Sequence, residues 1–250
     1  ARKELKVARA HLRLLRPAIP KADYRRENAA LRDAARPLGR VRDAKVMLET
    51  LDTLVPDELN AARRALVLKL RGALEQARQS ALNEVTAASV AENSAAALEA
   101  AWTRIDGWRL EGEGASAVRH GVKRLYRDAR KALGSARDRP DPEALHSWRK
   151  QLKYLRAAVE TFPSREAAKL VKQSDALAAR LGDEHDLVVL QNEVSILHSR
   201  PSGARASLFS EIAERRSKLK SKALKQGRRL LKRKPDEFVK KLVSHAGAER

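Results

Sequence analysis

Proline placement is the feature that most constrains the fold of this chain. The sequence has nine prolines in 250 residues, and each falls at an end of a segment rich in Ala, Leu, Arg, Lys and Glu, a composition that favours helix. Sustained alternation of β-branched residues and Asn-Gly or Asp-Gly hairpin turns are missing from the sequence. Because proline is tolerated in the first turn of a helix and breaks a helix interior, the sequence predicts an all-α fold.

Ten helices are predicted from these breaks, over about 1–16, 22–36, 40–54, 57–86, 90–105, 115–134, 142–161, 164–180, 184–199 and 204–233. Asp141 before Pro142 has the pattern of an N-cap followed by proline at the first helical position. Segment 84–114 is acidic, unlike its surroundings, and ends in Gly-Glu-Gly. We therefore predict a junction near 106–114 between two halves, 1–110 and 111–250.

The charge of the chain restricts its partners. A formal net charge of +21 makes compaction costly unless an anion lies nearby, so the partner classes are duplex or single-stranded nucleic acid, anionic membrane and free polyanions. Only 4% of the residues are aromatic, which disfavours single-strand binding through base stacking. No stretch approaches a membrane span of about 18 apolar residues. The absence of cysteine excludes thiol chemistry and fits a cytoplasmic location.

The two halves repeat each other. Segment 149–153 aligns with segment 2–6, and this alignment places Arg156 on Arg9. Segment 181–186 likewise aligns with segment 38–43, in the same order along the chain. Two matched segments in one order predict two copies of a unit of four or five helices.

A basic stripe is predicted on helix 142–161. With His146 set at zero on a helical wheel, Arg149, Lys153 and Arg156 fall at about 300°, 340° and 280°. The apolar residues cluster near 210° on the same wheel. The stripe therefore lies on a flank of the core face, where a neighbouring helix can bring a second stripe alongside.

Three other helices carry similar rows of cations. The rows are Arg2, Lys6, Arg9, Arg13 and Arg16 in the first helix, His120, Lys123, Arg127 and Arg130 in helix 115–134, and Arg215, Lys218, Lys222, Lys225, Arg229 and Lys232 in the last. Like charges four residues apart destabilise a helix. Either the rows are simply solvated faces, or they match a linear anion, since Arg contacts phosphate oxygens in pairs and Lys supplies point charge.

Three motifs combine cations with histidine or glycine: Leu145-His146-x-x-Arg149-Lys150-x-x-Lys153-x-x-Arg156, Leu181-Gly182-Asp183-x-His185-Asp186 and Ala223-Leu224-x-x-Gly227-Arg228-Arg229-Leu230. Together they resemble the CHAD family, the conserved-histidine α-helical domain. The resemblance extends over both halves. It implies two pseudo-symmetric antiparallel four-helix bundles with a basic central channel, and non-catalytic binding of inorganic polyphosphate.

The resemblance also implies site residues. The matching positions are Arg2, Lys3, Lys6 and Arg9 in the first copy and His146, Arg149, Lys150, Lys153 and Arg156 in the second. With the stripe residues Arg13, His120, Lys123, Arg127, Arg130, Lys222 and Arg229 they form the predicted polyphosphate site. The copies differ, because Arg42 matches His185 and Arg13 matches Glu160, and the copy of His146 would precede the first residue.

No enzyme motif, cofactor motif or clustered metal ligand set is present in the sequence, so we expect no catalysis. His185, beside Asp183 and Asp186, is interpreted as bonding to a backbone carbonyl or capping a helix or, alternatively, as a metal ligand. A helical nucleic-acid-binding protein is the alternative to a polyphosphate binder, and a membrane role is disfavoured because the apolar faces are needed for the core. Storage, targeting to polyphosphate granules and tethering of a polyphosphate-metabolising enzyme stay open as roles.

Overall fold

A computed structural model describes residues 2–55, 60–87, 89–109, 114–197 and 201–244 of the chain. Its helices are α1 (Arg2–Leu14), a 3₁₀ turn (Arg16–Ala18), α2 (Lys21–Ala35), α3 (Pro37–Asp52), α4 (Ala61–Ala87), α5 (Val90–Asp106), α6 (Gly114–Asp138), α7 (Pro142–Val159), α8 (Arg165–Leu197), α9 (Gly203–Leu230) and α10 (Pro235–Ser244). Every regular element in the described ranges is helical, which confirms the predicted all-α class. Residues 110–113 of the predicted junction lie outside those ranges.

The start of α7 was predicted correctly. Asp141 has an extended backbone and its side chain accepts a hydrogen bond from the backbone N–H of Ala144. Pro142 follows at the first turn, where its missing N–H has no intrahelical partner to lose. Proline also stands in the first turn of α3 and begins α10.

Two helical predictions were wrong. The sequence predicted a break between 180 and 184, but α8 runs without interruption through Gly182. A glycine inside a helix costs about 1 kcal/mol relative to alanine, and the apolar side chains that α8 buries on both sides of Gly182 outweigh this cost. The short helix α10 was not predicted, although Pro235 marks its first residue.

Three apolar clusters form the core. The largest joins α6, α7, α8, α9 and α10 and includes Trp148. A second joins α3 and α4 to the later half of α8 and the start of α9, and a third joins α1, α2 and α5. The second cluster draws on both sides of residue 110, so the two halves share a core. The division into 1–110 and 111–250, and the two-bundle pseudo-symmetry, stay predictions.

Helix packing closes a ring of five helices. Helix α1 contacts α2 and α7, α2 contacts α3, α3 contacts α8, and α8 contacts α7. Helix α9 packs on α8, α4 and α6, and α10 packs on α6 and α8. None of the helices in the described ranges is long and apolar enough to cross a membrane.

Two buried glutamates tie helices together. Glu27 of α2 is fully buried and accepts hydrogen bonds of 2.7 and 2.8 Å from the Arg104 guanidinium of α5. These hydrogen bonds hold the pKa of Glu27 below its usual value against the opposing effect of burial. Glu184 of α8, also buried, accepts a hydrogen bond of 2.9 Å from Nε of Arg216 on α9. Arg104 and Arg216 therefore stabilise the fold by joining neighbouring helices.

Candidate anion-binding site

Helix α7 has the predicted division between an apolar and a basic face. Leu145, Trp148 and Leu152 are at most 1% exposed. Lys150 and Lys153 are exposed, and on the wheel Lys150 lies almost opposite the core face. The basic face of α7 therefore lies between the helices that flank it, α1 on one side and α8 on the other.

Arg149 lies against α8. Its Nε donates a hydrogen bond of 3.2 Å to the carbonyl oxygen of Ala178, and its guanidinium lies so close to Gly182 that a Cβ there would be 2.6 Å from Nη2. Burial lowers the pKa of Arg149, with Asp186 opposing this effect and Arg42 of α3 adding to it. Arg149 thus contacts α8 beside segment 181–186 and lies within electrostatic range of segment 38–43.

His146 and His185 form a half-buried pair. Their ring centroids are 4.6 Å apart and the rings are tilted by 49°. Burial, followed by the nearby His185, Lys150 and Arg149 in that order, lowers the pKa of His146 to about 4. The Nδ1 atom of His146 is buried with no hydrogen-bond partner among the described residues. With a pKa of about 4, His146 is neutral at pH 7 unless an anion beside it raises that pKa.

The α1 stripe lies between two packing contacts. Leu5 and Leu12 belong to the cluster with α2 and α5, and Leu14 belongs to the cluster with α6 and α7. Arg9 and Arg13 lie on the arc between these contacts. The stripe therefore lies where α2 and α7 converge on α1.

Arg13 is held by neutral groups. Its guanidinium lies over the Tyr154 ring of α7, with Cζ 4.1 Å from the ring centroid. Its Nη1 donates a hydrogen bond of 2.6 Å to Oδ1 of Asn28 on α2. Arg9 donates from Nε to the same oxygen at 3.4 Å. Burial lowers the pKa of Arg9, Tyr154 opposes this, and Arg13 lowers it further. Two cations thus share one uncharged acceptor.

Arg156 has the opposite environment. Its Nε and Nη2 donate hydrogen bonds of 3.0 and 3.2 Å to the two carboxylate oxygens of Asp175 on α8. Its Nη1 also forms an ion pair with Glu160. Two carboxylates therefore surround this predicted binding residue.

Other predicted residues lie elsewhere. Lys123 of α6 pairs with Asp236 of α10, and Nδ1 of His120 lies 2.9 Å from the carbonyl oxygen of Ser116. Lys222 and Arg229 are exposed on α9, which contacts the flank of α8 opposite the one that holds Arg149. The structure thus packs α1 against α7 through Arg13 and Tyr154, whereas Arg149 and Arg156 of the α7 stripe contact α8. The other predicted residues are Arg127 and Arg130 on α6 and Lys6 on α1. The side chains of Arg2 and Lys3 are outside the described part.

Asn28, Tyr154 and Asp175 were missed as site residues. A signal was present, because the same offset that places Arg156 on Arg9 places Asp175 on Asn28. Among the described residues, no group of three or more His, Asp or Glu side chains is arranged to hold a metal ion. His185 lies inside α8 and therefore does not cap a helix, and its ring contacts that of His146.

Comparison with known proteins supports a single family. The family model of the CHAD domain matches residues 1–195. The matched region includes both copies of the basic motif, whereas the motif at 223–230 lies beyond its end. A search of curated proteins gives no match to the chain. Because the family model covers most of the chain, the protein belongs to the CHAD domain family.

Proposed function

We propose that the protein binds inorganic polyphosphate, without catalysis, in a slot lined by the cations of α1 and α7. We place this slot inside the ring of helices α7, α1, α2, α3 and α8, each of which contacts the next. A chain of single phosphate units is thin and carries charge at regular intervals, so it matches rows of Arg and Lys along two adjoining helices.

The observation that carries this proposal is the contact between Arg13 of α1 and Tyr154 of α7. It packs the α1 row against α7 at one edge, which supports a shared space between that row and the exposed Lys150 and Lys153 of α7. Like charges at such proximity are tolerated when an anion lies between them. Family membership supports the same ligand, because polyphosphate binding is what the sequence resemblance implies.

Charge reversal on matched helices tests the proposal. The double variant Lys150→Glu/Lys153→Glu should weaken binding of long-chain polyphosphate at least tenfold in a fluorescence titration at 50 mM salt. The double variant Lys222→Glu/Arg229→Glu changes the net charge equally on α9 and should change affinity less than threefold. Equal losses in both variants would show that net charge alone governs binding.

Duplex nucleic acid is the second candidate, and α9 favours it. Lys222, Lys225, Arg228, Arg229 and Lys232 are exposed on its outer face and have no acidic partner among the described residues. This row spans about 15 Å of a convex surface, which a duplex backbone can reach although it could not enter a slot between helices. Competition between polyphosphate and duplex DNA in the two double variants separates the candidates.

The proposed activity is binding alone. The prediction that the protein is not an enzyme is tested by incubating it with polyphosphate and Mg²⁺ or Mn²⁺ and measuring phosphate release. A non-catalytic binder in the cytoplasm would serve at polyphosphate granules or beside an enzyme that acts on the same chain. Retention on such granules through α1 and α7 is the expected cellular result.

A further inference from the structure

The two sequence copies hold one arginine in the same way but with different chemistry. Arg9 donates from Nε to Asn28, and Arg156 donates from Nε to Asp175. In both cases the acceptor lies 19 residues further along the chain. The hydrogen bond is therefore repeated, and an amide in the first copy stands where the second has a carboxylate.

The residue four positions after this arginine also differs in charge between the copies. Four residues after Arg9 stands Arg13, which also donates to Asn28. Four residues after Arg156 stands Glu160, which forms an ion pair with it. The first copy thus combines two cations with a neutral amide, whereas the second combines one cation with two carboxylates.

The first copy attracts an approaching anion, whereas the second copy repels it. In the first copy, the Asn28 amide fixes both guanidinium groups without neutralising either of them. Tyr154 fixes Arg13 further through its ring face, an arrangement that leaves the cation charged. In the second copy, the carboxylates of Asp175 and Glu160 neutralise Arg156 and repel an approaching phosphate.

The surroundings of Arg156, Asp175 and Glu160 support this difference between the copies. Glu160 and Asp175 border a surface cavity of about 570 Å³ whose remaining lining is largely apolar, with Phe162 and Val171 among its residues. Lys172 is the one cation among the lining residues. Such a cavity offers an anion two repelling carboxylates and little compensation. By contrast, Asp33 lies near enough to Arg9 to feel its charge, but Arg32 engages this carboxylate at 2.9 and 3.0 Å.

We propose that the two copies are functionally unequal: Arg9, Arg13 and Asn28 form the phosphate-binding subsite at their end of the slot, and Asp175 with Glu160 closes the equivalent position around Arg156. Asn28 is the positioning residue of this subsite. It aligns two guanidinium groups on adjacent turns of α1 for one phosphate group, which guanidinium contacts in pairs. Arg156 has a structural role, joining α7 to α8. This inference rests on the proposed function.

Exchanging the two acceptors tests the inference. Asn28→Asp gives the first copy the chemistry of the second and should weaken long-chain polyphosphate binding at least tenfold. It should also reduce the slope of log affinity against log salt by about one, because about one phosphate contact is lost. Asp175→Asn should bind as tightly as the wild type or more tightly. Asn83→Asp on α4 adds the same charge and should change affinity less than twofold.

The outcomes separate this inference from the proposed function. If the wild-type protein does not bind polyphosphate, both the inference of unequal copies and the proposed function are refuted. If the wild type binds and Lys150→Glu/Lys153→Glu weakens binding, but Asn28→Asp matches Asn83→Asp, the unequal copies are disproved and the proposed function stands. Should Asn28→Asp not fold, the double variant Asp175→Asn/Glu160→Gln decides instead. It frees Arg156 and should raise affinity at least threefold, and no gain would overturn the inference.

Discussion

Gly182 of α8 lies directly against the guanidinium of Arg149 on α7. A Cβ at position 182 would be 2.6 Å from Nη2 and 3.1 Å from Cζ of that side chain. The absence of a side chain at 182 lets Arg149 reach the carbonyl oxygen of Ala178. The glycine of the Leu-Gly motif therefore positions a cation of the proposed site from the neighbouring helix.

Gly182→Ala should affect binding more than stability. The group that must move is the end of a flexible arginine, and alanine has the higher helix propensity, so the free energy of unfolding should change by less than about 1 kcal/mol. Arg149 would lose its position over Ala178, and polyphosphate affinity should fall about threefold to tenfold. Urea unfolding and titration of the same sample measure both effects. An unchanged affinity would show that the position of Arg149 is unimportant for binding.

Gly227→Ala, unlike Gly182→Ala, should mainly lower the stability of the fold. A Cβ at 227 would be 2.3 and 2.5 Å from two ring atoms of Trp148, whose side chain is fully buried and cannot move away. Such overpacking costs about 1–3 kcal/mol, which urea unfolding would detect.

Gly72→Ala is the matched control for this variant. Gly72 also lies inside a helix, but a Cβ there would have no atom within 4 Å. The control should therefore gain up to about 1 kcal/mol from helix propensity. A loss of equal size in both variants would contradict the packing explanation.

The local features of the site could be predicted from the sequence, whereas the partners of its cations could not. The helical wheel of segment 142–161 placed Lys153 away from the apolar cluster, and Lys153 is exposed in the structure. Helical periodicity is a local property, so the sequence alone predicts it. The identity of the groups opposite Arg13 and Arg156 depends on how α1, α2, α7 and α8 pack. In the sequence, only the replacement of Asn28 by Asp175 between the two copies indicated that these groups differ. The break predicted near Gly182 failed because propensity is a weak indicator beside burial.

Glu184→Gln should destabilise the protein strongly. Glu184 is 1% exposed and accepts a hydrogen bond from Arg216, whose side chain is 18% exposed. Removing one partner leaves a largely buried charge without its counterion, which costs about 3–5 kcal/mol. The corresponding change at Glu214, which is 65% exposed in its pair with Lys218, should cost less than about 1 kcal/mol. Urea unfolding of both variants measures the difference, and similar losses would refute it.

His146 should make stability and binding depend on pH. Its pKa is about 4 in the folded protein against an ordinary value of 6.5, so the unfolded chain binds more protons between these values. The free energy of unfolding should therefore fall as pH decreases from 6.5 to 4, by about 1–3 kcal/mol in total. His185 acts in the same direction, because burial lowers its pKa as well.

His146→Gln isolates this contribution. In the variant the slope of unfolding free energy against pH should decrease between pH 6.5 and 4, while the loss below pH 4.5 from carboxylates such as Glu27, whose pKa is lowered, should remain. A bound polyanion raises the pKa of His146, so wild-type affinity for polyphosphate should increase as pH falls from 7 to 5. That increase should be smaller in the variant. Identical pH profiles for the two proteins would rule out proton uptake at His146.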